Sequence, residues 1–144
     1  MHEYQHTQSG TLILCTLGSA AVITGGIAAF FSLIPGWVML PLVVCAYLFS
    51  SLTVKVSREQ VTLRFGPGLI KKSFAVIDIC NVEIVRNHWY YGWGIKLTPH
   101  GWLYNVSGFE AVEIQLQNRR KYRIGTDEPR ELHAAIQTAM KQSS

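Results

Sequence analysis

Charge is missing from the first third of this chain. Between Glu3 and Lys55 there is no Lys, Arg, Asp or Glu. That absence excludes an ordinary soluble beginning, because charged side chains normally cover a domain's surface. It does not make a secretory leader either, since residues 1–4 offer no basic region and the apolar stretch is too long. A buried pair of core helices fails on size: the remaining 90 residues could not enclose about 40 apolar ones.

Chemistry is sparse too. There are three cysteines, Cys15, Cys45 and Cys80, and none has CxxC spacing. They read as packing residues, and neither a disulfide framework nor a zinc ribbon is indicated. The sequence has no GxSxG, phosphate-binding loop or HExxH motif. Cys80, His88 and His100 could be joined into a metal site only by ignoring their spacing, so two loop histidines is the plainer reading. Asp78 and Glu83 flank Cys80 without a partner nucleophile. The expectation is a non-enzymatic protein with no cofactor, no metal and no small-molecule substrate. Asn105-Val106-Ser107 matches a glycosylation sequon, which a cytoplasmic domain would not use.

Within the uncharged stretch, residues 11–34 and 37–54 are each long enough to cross a bilayer as a helix, the second barely. Pro35-Gly36 would end the first and allow a tight reversal, and Trp37 suits a membrane–water interface. This predicts a transmembrane helical hairpin over 11–54 behind a tail at 1–10. All 13 Lys and Arg residues fall at or after Lys55. The positive-inside bias therefore puts both termini and the domain on the cytoplasmic face of an inner membrane. Gly18, Ala21, Gly25 and Ala29 form a small-residue face for helix packing. It would serve the second span first and a homo-oligomer as the alternative. No intramembrane charge marks a transport path.

From Ser51 the period changes to alternation. Runs at 54–56, 61–65, 74–79, 82–86, 94–97, 102–106, 111–116 and 121–124 read as strands, separated by turns at 57–60, 66–68 and 98–101. An amphipathic helix follows, capped by Thr126 or Asp127, with Pro129 in its first turn and Leu132, Ala135, Ile136, Ala139 and Met140 as its apolar stripe. The expected class is an α+β membrane protein whose domain, residues 55–144, is an antiparallel barrel or sandwich capped by that helix.

Two features stand out on this domain. One is charge: 13 basic against 8 acidic side chains from residue 55 onward, a net of +5. Lys71, Lys72, Arg119, Arg120, Lys121 and Arg123 are the candidates for contact with lipid headgroups or an anionic surface. A merely solvated hairpin is the competing reading, and nucleic acid is a poor third. The other is aromatic density at 88–93 and 101–104, which together hold three of the four tryptophans. Trp89, Tyr90, Tyr91 and Trp93 are candidates for a partner or interfacial contact, with Trp89 or Tyr90 exposed and Trp102 structural.

The segments Tyr91-Gly92-Trp93-Gly94-Ile95, 101–108 and 124–129, together with strands closed by a C-terminal helix, resemble bacterial pleckstrin-homology-like (PH-like) domains of membrane-anchored proteins. The resemblance covers residues 50–142. It implies a binding or scaffolding module whose partners are membrane lipids or a protein. A small structural subunit of a larger membrane complex is the runner-up, and an enzyme using Cys80 and His88 comes third.

Overall fold

The structure is a computed structural model, and it describes residues 4–31 and 40–143. The chain begins with β1 (Tyr4–Ser9), then α1 (Thr11–Phe31) and α2 (Leu40–Leu48). Four strands follow: β2 (Ser51–Val56), β3 (Gln60–Phe65), β4 (Ile70–Ala75) and, after one 3-10 turn, β5 (Ile79–Arg86). A second 3-10 turn at Trp89–Tyr91 leads to β6 (Gly94–Thr98), β7 (Gly101–Asn105), β8 (Glu110–Leu116), β9 (Lys121–Gly125) and α3 (Pro129–Ser143).

The expected two-helix transmembrane hairpin is not what the described residues form. One helix is long and apolar enough to cross a membrane, over Thr11–Ala29. Among the described residues the second apolar segment yields a helix of nine residues, about 14 Å at the helical rise. The reason lies in its tail: residues 51–54 belong to β2, where Leu52 and Val54 are buried in the sheet core. Apolar composition alone does not separate a buried strand from a span. Pro35, Gly36 and Trp37 lie outside the described residues.

Within the stretch expected to be a tail, Tyr4–Ser9 is an edge strand paired antiparallel with β2 from Tyr4↔Val56 to Ser9↔Ser51. The folded domain therefore gathers residues from both sides of the apolar segment. The strands form a sheet of order β1-β2-β3-β4 and another of order β5-β8-β9-β7-β6. One pair, β7 with β9, is parallel, so the second sheet is mixed rather than wholly antiparallel. The run expected as a strand at 74–79 is split, with β4 ending at Ala75 and a 3-10 turn carrying the chain over to β5.

One core serves both sheets. Phe65 meets Tyr104 across them, and Phe74 meets Tyr122. α3 closes the core with Leu132, Ile136 and Ala139. The Thr126 hydroxyl accepts the Glu128 N–H at 3.0 Å at its start, while Asp127 turns instead to His6 of β1 at 2.7 Å.

The helical segment joins the sheet with no linker. Gly10 donates its N–H to the Ser50 carbonyl at 2.7 Å. A Cβ on Gly10 would collide with the Phe49 carbonyl oxygen. Gly66, at φ 47, lies so close to α2 that a Cβ would sit 2.6 Å from the carbonyl oxygens of Tyr47 and Leu48. These glycines let the β3–β4 turn abut the helix ends.

Candidate functional site

Strand direction divides the domain into two ends. At the junction end lie Gly10, Ser50, the β3–β4 turn and the 106–109 loop, whose Ser107 carbonyl accepts from Gln8 at 3.0 Å. Asn87 joins the same end by donating its N–H to the Phe109 carbonyl at 2.7 Å. The far end carries the β2–β3 turn and the β8–β9 turn, tied together through Val76 to Glu59 and Gln117 to Asp78. Six-residue strands set the ends about 20 Å apart.

This division separates residues that sequence reasoning grouped. Arg119 and Arg120 are exposed at the far end, away from the helices. They line an open groove of about 670 Å³ with Lys121, His100, Leu97 and Trp102. Trp102, expected to be structural, is 43% exposed there. It stands at the start of β7, before Leu103 and Tyr104 reach the core. Arg119 is the one described non-glycine residue with positive φ, 65°. That turn is held by the Arg120 N–H to Asn118 Oδ1 at 3.0 Å and by Arg119 N–H to the Leu116 carbonyl at 2.9 Å. Left-handed backbone strains a residue bearing a Cβ. Arg119→Gly is therefore expected to raise stability by about 1 kcal/mol, read as a shift in thermal midpoint; a fall would show the arginine head to be a structural contact.

Arg123 is not on an anionic-contact surface at all. It is 7% exposed and its Nε donates to Glu113 Oε2 at 2.7 Å. Lys121 Nζ donates to Glu113 Oε1 at 2.8 Å, and Arg123 also reaches Asn87 Oδ1 at 3.2 Å. Burial pushes the Glu113 carboxyl up, but the hydrogen bonds from Lys121 and Arg123 outweigh it and hold it below its ordinary value. The hydrogen bond to Glu113 in turn raises Lys121. This triad staples β8 to β9.

Lys71 and Lys72 are exposed on β4, near the junction end, where Lys71 stands opposite Arg64. The aromatic segment is at that end too. Trp89 is 78% exposed and Tyr90 is also exposed, whereas Tyr91 and Trp93 are half-buried. His88 stacks on Tyr90 with centroids 5.0 Å apart, and Trp89 meets Tyr90 edge-on. Trp93 packs against the core.

Of the small-residue face, Gly18 and Gly25 have open space where a Cβ would be. Among the described residues, then, these two positions are not packed on α2 as expected. The Thr16 and Ser19 hydroxyls donate to carbonyls of their own helix, so they carry no unmet polarity into an apolar phase.

Cys80 is exposed, its thiol toward the Gln115 carbonyl. Among the described residues no cluster of three His, Cys, Asp or Glu could hold a metal.

No family model, curated protein or solved structure matches this chain. The PH-like resemblance gains and loses nothing by that.

A second groove, of about 360 Å³, lies at the junction end between Arg86, Asn87, His88, Trp89 and Phe109. Sequence reasoning singled out Trp89 as a contact residue here, and weighed His88 only as a loop histidine or as part of the third-placed enzyme reading. Asn87 gives no signal in sequence, since its burial depends on Arg123 and Phe109, both distant along the chain.

Proposed function

We propose that this protein is a non-enzymatic binding module anchored in the cytoplasmic membrane through α1, with its β domain seated on the cytoplasmic face. The observation that carries this is the linker-free junction. An apolar helix of 21 residues, with Val22, Ile23 and Ile27 exposed, runs directly into a sheet edge. A helix that is apolar all round needs an apolar surrounding. Because β1 and β2 pair, both ends of segment 10–50 leave that surrounding on one side. The positive-inside bias makes that side cytoplasmic.

The two ends of the domain then have different neighbours. Trp89, Tyr90, Leu69 and Lys71 stand toward the bilayer interface, which suits amphipathic rings and lysine. Arg119 and Arg120 face the aqueous phase, where an acidic protein surface is the partner whose charge fits.

Val22→Lys with Ile27→Lys tests the anchor. Each lysine at mid-helix opposes insertion by about 2.5–3.5 kcal/mol. The parent chain should stay with membranes through an alkaline carbonate wash, and the double variant should be released. Equal retention of both would overturn the anchor. An engineered Gln117→Cys should be shielded from an impermeant thiol reagent in intact cells; labelling there would overturn the orientation.

A further inference from the structure

The two sheets end in four edge strands, β1, β4, β5 and β6. β1 is tied to the start of α3, through His6 to Asp127 at 2.7 Å and Tyr4 to Glu128 at 3.3 Å. α3 packs against β5, where His133 Nε2 stands 3.2 Å from the Val82 carbonyl. β4 presents Lys71 and Lys72, and lysines on an edge oppose casual pairing. β6 has no such cover: it ends the second sheet beyond β7, and among the described residues no strand pairs with its outer side. Alternate N–H and C=O groups of β6 are therefore left without a strand partner. Leu97 of β6 is 71% exposed and lies opposite Trp102 of β7, so the two side chains share one face.

That face opens into the far-end groove, where Arg119, Arg120 and His100 stand with Leu97 and Trp102. Neither arginine forms an ion pair among the described residues. Arg119 is held at φ 65°, a conformation that glycine adopts without strain. Strain kept at a residue whose charge is unpaired points to a use outside the fold.

We propose that β6 and this groove take an extended acidic segment of a partner protein. The segment adds to the second sheet as a strand beside β6 and sets an apolar side chain against Leu97 and Trp102. Past Thr98 it crosses the Pro99-His100 turn and brings carboxylates to Arg119 and Arg120. Main-chain hydrogen bonds to an open edge supply affinity, and pockets for alternate side chains supply selectivity. Charge decides the occupant. Nucleic acid would match the arginines but has no peptide N–H and C=O groups to continue a sheet. A second copy carries a net charge of +4, and its Asp127 and Glu128 are already engaged with His6.

This inference rests on the reading of the far end as the side that meets a partner protein, and it is tested on the full chain in a neutral maltoside detergent. The probe is a capped ten-residue peptide alternating glutamate with valine, titrated at low salt by the anisotropy of an attached dye. The parent should bind it saturably, and Arg119→Gln with Arg120→Gln should weaken binding about tenfold. Leu97→Ser should weaken it severalfold. Arg58→Gln with Arg130→Gln, which removes the same charge elsewhere, should leave it unchanged. All these side chains are exposed, so the variants keep the fold. Amide hydrogen exchange adds a readout that charge alone does not move: bound peptide should slow exchange over Gly94–Thr98 and not over Ile70–Ala75. Absence of saturable binding, or an equal loss in the Arg58 and Arg130 variant, would overturn the site. Unslowed exchange in β6 would overturn strand addition, and equal binding of a glutamate–serine peptide would overturn the apolar anchor. A duplex oligonucleotide that displaces the peptide at equal concentration would overturn the acidic segment as occupant. So would self-association of the parent that the Arg119 and Arg120 variant abolishes. A parent released by the carbonate wash that still binds the peptide overturns the membrane reading alone; one retained by the wash that fails to bind overturns this site alone.

Discussion

Glu113→Ala is expected to destabilise the domain by about 3–5 kcal/mol, because it leaves the Arg123 guanidinium buried without its counter-charge. Glu113 and Arg123 are 6% and 7% exposed, and they join β8 and β9 near the middle of the second sheet. Removing both together should be milder than removing one: Glu113→Leu with Arg123→Met replaces the pair by apolar volume, and such exchanges are often close to neutral. Urea unfolding of the detergent-held protein gives the comparison. A loss below about 1 kcal/mol in the single variant would mean that water reaches the guanidinium.

The same pair sets the acid side of stability. A carboxyl held below its ordinary value in the folded chain stabilises it fully above the ordinary carboxylate range. That contribution disappears as pH falls through the lowered folded value. Lys121 works in the opposite direction, since its raised value is lost only as pH climbs through it, well into the alkaline range. Glu113→Gln should therefore flatten the acid limb of the stability curve and leave the neutral region lower throughout.

Phe65→Ala is the second large effect, also about 3–5 kcal/mol. Phe65 is fully buried where three parts of the molecule meet. Its ring is edge-on to Phe49, just after α2, at 5.5 Å, and tilted against Tyr104 of the second sheet at 6.2 Å. Truncation would loosen the seam between the apolar segment and the domain as well as the packing of sheet on sheet. Trp89→Ala provides the contrast. That larger ring is mostly exposed, and its loss should change stability by no more than about 0.5 kcal/mol. Thermal unfolding of the two variants side by side decides the point. If Trp89→Ala unfolds the domain as badly as Phe65→Ala, the aromatic segment is core and not a contact surface.

Much of this architecture was legible in residue order. Alternation of Val54 with Val56, and of Val61 with Leu63 and Phe65, marks β2 and β3 because a sheet with one buried face repeats every two residues. Leu132, Ile136 and Ala139 mark α3 by the helical repeat. The absence of charge before Lys55 isolates the apolar segment. These signals are local, and periodicity reads local geometry well.

Three things depended on tertiary structure. Residues 4–9 became a strand because β2 offered an open edge; Tyr-Gln-His-Thr-Gln-Ser has little apolar alternation of its own. Residues 51–54 look like the end of a span, and only their pairing with β1 and β3 turns them into sheet core. Arg119, Arg120, Lys121 and Arg123 are one basic cluster in sequence but three environments in space. Two heads are in solvent, one pairs with Glu113 while exposed, and one is buried with Glu113 and Asn87. A strand's alternation and a turn's direction assign opposite faces to neighbours, and only long-range pairing says which face meets water. For the same reason the buried Asn87 amide is invisible in the sequence: the partner of its oxygen is Arg123, 36 residues later.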